Sequence, residues 1–158
     1  VYGNACVYGD AHVYDDACVS NYACVSDDAR VYGNAWVSDD ACVYGNARVY
    51  DDARVYGNAC VYGDAWVSDD ACVYGNARVY DDARVYGNAD YICLRGFGSQ
   101  NRNTTMFKEN SGNICVSCGC FSGTLQEFES KVKETHGNNK FAREYLALIE
   151  AAKIHFEV

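Results

Sequence analysis

From Val1 to Asp90 the chain repeats one six-residue unit fifteen times without insertion or deletion. The consensus is Val-Tyr-Gly-Asn-Ala-x, as in Val1-Tyr2-Gly3-Asn4-Ala5-Cys6 and Val43-Tyr44-Gly45-Asn46-Ala47-Arg48. A fixed short period forces the same local structure on every unit, and only stacked units then bury a continuous core. Position one is always Val and position five always Ala; position two is Tyr or Ser, and position six varies. Read as a short strand, Ala-x-Val-Tyr points Ala and Val to one side and x and Tyr to the other. Gly, Asn and Asp at positions three and four then turn the chain, because they tolerate positive φ or bond their own backbone. Strand and turn alternating at this period describe a mainly β chain, a β-solenoid with a narrow interior of Val and Ala.

These hexads resemble the hexapeptide-repeat family, which folds as a left-handed parallel β-helix with three hexads per 18-residue coil. The resemblance covers residues 1–90 and implies about five coils, a prism roughly 24 Å tall at the ~4.8 Å strand spacing. The left hand is implied by the resemblance alone and runs against the usual right-handed crossover. Two features depart from the family. Its second position is usually small or acidic, whereas here it is Tyr or Ser. Its enzymes carry loops that interrupt the repeat, and here none does. The acyltransferases of the family would need a His base beside a cleft between subunits. His12 is the one His of the repeat and has no loop to build a substrate pocket. The carbonic-anhydrase relatives need three His on neighbouring coils, which His12, His136 and His155 do not supply. No catalytic residue is assigned, and the chain is expected not to be an enzyme.

An 18-residue coil stacks position six in columns. The first holds Cys6, Cys24, Cys42, Cys60 and Arg78; the second His12, Arg30, Arg48, Trp66 and Arg84; the third Cys18, Trp36, Arg54, Cys72 and Asp90. Tyr or Ser columns run beside them. Trp36, Trp66, Tyr44, Tyr62, Arg48 and Arg84 are the candidate interaction face, because Tyr, Trp and Arg are enriched at interfaces. The thiol column Cys6, Cys24, Cys42, Cys60 has two readings. One is a ladder that binds soft metal or becomes oxidised. The other is drift at a permissive position: residues 35–59 recur as 65–89, and a 30-residue offset moves the copies to different faces. The Asp15-Asp16, Asp51-Asp52 and Asp69-Asp70 pairs share a corner, where turn chemistry accounts for them without Ca²⁺.

The net charge is −9. Residues 1–90 hold 15 Asp and 5 Arg, a balance of −10, which is a poor footprint for nucleic acid. There is no long apolar run to span a membrane and no visible signal peptide. The missing initiator Met suggests an incomplete N-terminus. Six of ten Cys occupy one repeat position, not a disulfide framework, which points to a reducing compartment. A cytoplasmic or virion-associated location is expected.

Past Asp90 the period stops. Tyr91–Arg95, Thr104–Lys108 and Ile114–Cys118 read as strands of a meander, with turns at 96–99 and 110–113. Thr124-Leu125-Gln126-Glu127 is a capping box opening a helix with Leu125, Phe128 and Val132 on one face and Gly137 as its stop. A second helix starts near Asn139, with Phe141, Tyr145, Leu148, Ile149, Ala152 and Phe156 as its apolar stripe. Residues 91–158 are expected to form a small α+β unit capping the solenoid at residues 1–90. The stretch Gly119-Cys120-Phe121-Ser122-Gly123-Thr124, with Phe128, Val132 and His136, resembles tails on hexapeptide-repeat proteins of phages and gut bacteria; those tails have no assigned activity.

Two local constellations stand out there. Cys115, Cys118 and Cys120, with His136 or Cys93 as a fourth ligand, would suit a structural zinc. Against it, strand alternation sends Cys115 and Cys118 to opposite faces, and reduced Cys is a common core residue. No other cofactor is expected. Arg95, Ser99 and Arg102 are candidates for gripping an anionic ligand. The favoured expectation is a structural or interaction scaffold that self-associates, as a side-by-side trimer or by end-to-end stacking, or binds a protein partner. An anion-binding pocket, in the tail or between subunits, is the alternative.

Overall fold

The structure is a computed structural model describing residues 1–158. It separates into two compact units, Val1–Asn88 and Ala89–Val158. The first is a β-solenoid of fourteen two-residue strands, from β1 (Cys6–Val7) every six residues to β14 (Arg84–Val85). They stack as three parallel sheets of five, five and four strands, in which every strand pairs with the strand three further on. The register is 18 residues throughout, as in Cys24 with Cys42 and Val25 with Val43.

Each backbone group has a defined partner. The N–H of position six donates to the Ala carbonyl one coil on (Cys24 to Ala41, 2.9 Å), and that of position two to the Val carbonyl (Tyr44 to Val61, 3.0 Å). The strands are shorter than the four-residue reading because Ala at position five turns its N–H inward along the chain. Ala23 donates to Ser20 at 3.1 Å and Ala53 to Tyr50 at 3.3 Å, closing the corner instead of extending the ladder. From Ala23 to Val85, every Val and Ala at positions one and five is fully buried. Each buried Val contributes on the order of 1.5–3 kcal/mol.

Position three carries the turn. Its residues lie in the left-handed region, from Gly3 at φ 71° to Asp81 at φ 53°. Gly, Asp and Asn reach that region at least cost. Asp does more there than tolerate the geometry. The carboxylates of Asp15, Asp27 and Asp39 accept the N–H of Gly33, Gly45 and Gly57 one coil on, at 3.4, 3.1 and 3.2 Å. At position four, Asn34 and Asn46 donate to Asp52 and Asp64 at 3.1 Å each. The acidic corners are therefore hydrogen-bond ladders between coils.

The third sheet stops one strand short of the expected count. Asn88 Oδ1 accepts the Cys72 N–H at 2.9 Å, the bond that the carbonyl of Ala89 would take in another coil. Asp90 thus leaves the column of Cys18, Trp36, Arg54 and Cys72, and its carbonyl accepts from Lys108 at 3.2 Å.

The second unit is a four-stranded antiparallel meander, β15 (Tyr91–Phe97), β16 (Arg102–Lys108), β17 (Ile114–Cys118) and β18 (Phe121–Thr124), followed by α1 (Leu125–His136) and α2 (Lys140–Phe156). β18 was not anticipated, because Phe-Ser-Gly-Thr has no alternating apolar pattern; it pairs with β17 through its backbone. The first turn falls at Gly98–Asn101, later than expected, because a register shift between Leu94 and Phe97 prolongs β15. The capping box forms: Thr124 Oγ1 accepts from the Glu127 N–H at 3.3 Å, and Glu127 Oε2 accepts from the Thr124 N–H at 2.8 Å. Those bonds hold the Glu127 carboxyl below the ordinary range, the Thr124 backbone N–H first and its hydroxyl second. Asn139 caps α2 and Gly137 ends α1 with φ 55°. Met106, Val116, Leu125, Phe128, Val132, Tyr145, Ile149 and Phe156 belong to a core of this unit's own. No helix is long and apolar enough to cross a membrane.

Candidate functional site

The solenoid's outward residues come from two positions per hexad, six and two. On the first sheet Cys6, Cys24, Cys42 and Cys60 are successive Cα partners, followed by Arg78. All four thiols are free. Burial pushes Cys24 and Cys42 above the ordinary thiol range, and the neighbouring thiolates add to that. Tyr44, Tyr62 and Tyr80 stack beside this sheet, with ring centroids 4.9 and 5.3 Å apart.

On the second sheet His12, Arg30, Arg48, Trp66 and Arg84 are aligned. Trp66 is sandwiched: the guanidinium carbons of Arg48 and Arg84 lie 4.8 and 4.5 Å from its ring centroid. Arg84 is tied down further, its Nη1 donating to the Asp64 and Ala83 carbonyls at 3.0 and 2.9 Å. Tyr14, Tyr32 and Tyr50 stack at 5.0 Å steps, and Tyr50 meets the Trp66 edge. On the third sheet Trp36 is 46 % exposed, and its Nε1 donates to Ser20 at 3.4 Å. The six residues grouped as one interaction face are therefore spread over three. Tyr44 and Tyr62 flank the first sheet, Arg48, Trp66 and Arg84 lie on the second, and Trp36 on the third. The reason is arithmetic: Trp36 and Trp66 are 30 residues apart, not a multiple of 18.

In the second unit the side chains converge on a cavity of about 360 Å³. Its apolar wall is Phe121, Phe128 and Val132, and its polar rim includes Ser99, Arg102, Lys131 and His136. The Arg102 side chain crosses the β17–β18 turn so closely that a Cβ at Gly119 would collide with its guanidinium. Arg102 Nη1 lies 3.9 Å from the Cys120 thiol. Lys131 is paired with Glu134 at 2.8 Å. His136 lies against Tyr145, ring centroids 6.0 Å apart. Tyr145 closes the back of the cavity, its hydroxyl 3.5 Å from the Phe97 carbonyl and 3.7 Å from Cys118. Burial first, then the Cys118 contact, push the Tyr145 phenol up to about 12. A smaller cavity of about 220 Å³ elsewhere has Lys153 as its charged group, already held by Glu129 and Glu150.

Of the anion-binding candidates, Ser99 and Arg102 line the larger cavity, and Arg95 does not: it lies on the exposed bulge of β15. The zinc candidates divide. Cys118, Cys120 and His136 border the cavity, but Cys115 is on the other side of β17, donating to Glu109 Oε1 at 2.8 Å. Cys118 is engaged by the Thr104 hydroxyl at 3.2 Å, and Cys93 faces Thr105 at 3.9 Å. No three or more His, Cys, Asp or Glu side chains converge as a metal would require, so these residues do not fit a tetrahedral zinc. Lys131, Thr135 and Tyr145 were not anticipated. A helical signal existed for two of them, since Phe128, Lys131, Val132, Thr135 and His136 form one stripe of α1.

The repeat is similar to a known one. The family model described as the YdcK beta solenoid repeat matches residues 23–39, 41–57, 53–69 and 71–87. Starts at 23 and 41, and at 53 and 71, differ by 18, the coil length seen in the sheets. The second pair lies 30 residues beyond the first, the interval of the internal duplication. No curated protein and no solved structure matches the chain. The chain is a β-solenoid repeat protein, similar to the YdcK type over the solenoid, with a second α+β unit that lies outside the matched residues.

Proposed function

We propose that the chain is a non-enzymatic scaffold whose solenoid binds protein surfaces, a second copy of itself included, through outward aromatic and guanidinium side chains. The supporting observation is the Arg48–Trp66–Arg84 sandwich with its adjoining Tyr stack. Side chains held in one pose on a rigid sheet lose little freedom on binding, and the ordering cost of association falls. Trp36 stands exposed on another sheet and is the single strongest anchor by type. Light scattering over a concentration series tests the self-associating form. The mass should rise above that of one chain, and Trp36→Ala should weaken association by roughly tenfold or more, the loss of an interface anchor of about 2 kcal/mol. A constant monomer mass at the highest concentration would remove self-association.

A second reading is favoured by the cavity of the α+β unit, where Arg102 stands without an ion pair over an apolar wall. It suits a small carboxylate or phosphate ester with an apolar body. A saturating ligand at about 100 Kd adds roughly 2.7 kcal/mol, a rise in Tm of several degrees. Arg102→Ala should abolish the shift seen with an aryl phosphate. An equal shift in both proteins would place binding elsewhere.

A further inference from the structure

The four thiols of the first sheet form a row with a regular spacing. Each Sγ lies 3.8–4.0 Å from the carbonyl two residues before it: Asn4, Tyr22, Asp40 and Asn58 for Cys6, Cys24, Cys42 and Cys60. One side-chain pose is therefore repeated four times on parallel strands in register. Identical poses carry the sulfurs along with the backbone, so neighbours stand about 4.8 Å apart. A metal–thiolate bond is about 2.3 Å, so an ion joining two sulfurs in a line spans about 4.6 Å. A row at this pitch suits linear two-coordination. It does not suit a tetrahedral site, and no three ligands converge anywhere in the chain.

We propose that Cys6 with Cys24, and Cys42 with Cys60, each bind one soft monovalent d10 cation, Cu(I) or Ag(I), as a linear bis-thiolate. The ion forms two metal–sulfur bonds and both S–H bonds break: M⁺ + 2 RSH gives [M(SR)₂]⁻ + 2 H⁺, with no change of oxidation state. Soft thiolates select these ions over the hard cations that carboxylates take. Arg78, the Cα partner of Cys60, brings a positive charge beside the anionic product. The third sheet provides an internal comparison. Cys18 and Cys72 adopt the same pose, each 3.8 Å from its carbonyl, but Trp36 and Arg54 stand between them. Those two thiols have no neighbouring sulfur.

Adjacency is the property to test, on the intact chain. Ag(I) is added with millimolar glutathione as competitor, and the silver retained after desalting is counted by native mass spectrometry. Glutathione strips ions held by one thiol, whereas a pre-aligned pair keeps its ion. The reference is the chain with Cys6, Cys24, Cys42 and Cys60 all replaced by Ser; circular dichroism checks the fold of each variant. The native chain should retain two ions more than the reference, and Cys18→Ser/Cys72→Ser should equal the native chain. Cys42→Ser/Cys60→Ser keeps an adjacent pair and should retain one extra ion. Cys24→Ser/Cys60→Ser keeps as many thiols, two coils apart, and should retain none. Equal retention by these last two, or no excess in the native chain, would overturn the proposal.

Discussion

Val49→Asp should abolish the cooperative unfolding of the solenoid. Val49 is fully buried, and its Cα partners in the coils on either side are Val31 and Val67, also fully buried. The surrounding interior is Val and Ala, so no side chain inside can donate to a carboxylate. The effective penalty for an ion placed there is several kcal/mol, and neutralising it still leaves unpaired polar groups. Against a typical total of 5–15 kcal/mol for a domain, one such residue is decisive. A solenoid is also quasi-one-dimensional, so a break in a central coil separates the stacks on either side. Urea titration followed by far-UV circular dichroism measures this. Arg48→Ala, one residue away and facing outward, should cost about 1 kcal/mol at most, through the lost contact with Trp66. Val49→Asp melting near the native midpoint would mean that the Val–Ala interior is not what holds the coils together.

The second large effect is expected at a corner. Gly45 has φ 71°, and a Cβ built there would lie 3.0 Å from the Gly63 N one coil on. Gly45→Val adds the left-handed cost of about 1–2 kcal/mol and aggravates it by branching at Cβ. With the crowding against the next coil, a loss of roughly 3 kcal/mol is expected. Gly45→Asp should behave differently, staying within about 1 kcal/mol of the native chain. Asp27 already occupies the same corner one coil earlier at φ 59°, and its carboxylate takes the Gly45 N–H at 3.1 Å. A new Asp at 45 can take the Gly63 N–H in the same way. Unfolding midpoints of the two variants side by side decide it. Equal losses would show that steric crowding, not the ladder bond, sets what position three accepts.

The same pair of residues shows how far the repeat can be read without coordinates. A choice among Gly, Asp and Asn at one position in six points to positive φ, and that is where the structure has it. The interaction of Asp27 with Gly45 is also implied once the coil is 18 residues, because a coil's neighbours lie at fixed offsets along the chain. What escaped the reading was whatever departs from the period. Asn88 ends the third sheet by substituting its side chain for a backbone carbonyl, which one residue cannot announce. Trp36 and Trp66 look alike in sequence, yet Trp66 is clamped between two guanidiniums while Trp36 stands exposed.

In the second unit, local signals carried as far as the helices. Thr124 with Glu127, Asn139 and Gly137 mark their ends through hydrogen bonds that span a few residues. The cavity was not legible in that way. Its members come from β16, both ends of the β17–β18 turn and both helices, and Gly98 meets Glu144 across 46 positions. Thus the sequence by itself determined the coil length, the columns, the buried Val and Ala and the positive-φ corners, because every contact of a repeat recurs at one offset. Only the tertiary structure decided that Arg102, Lys131, His136 and Tyr145 share one cavity and that Cys115 is excluded from it. Those neighbours are set by how strands and helices pack, and no period in the chain encodes that packing.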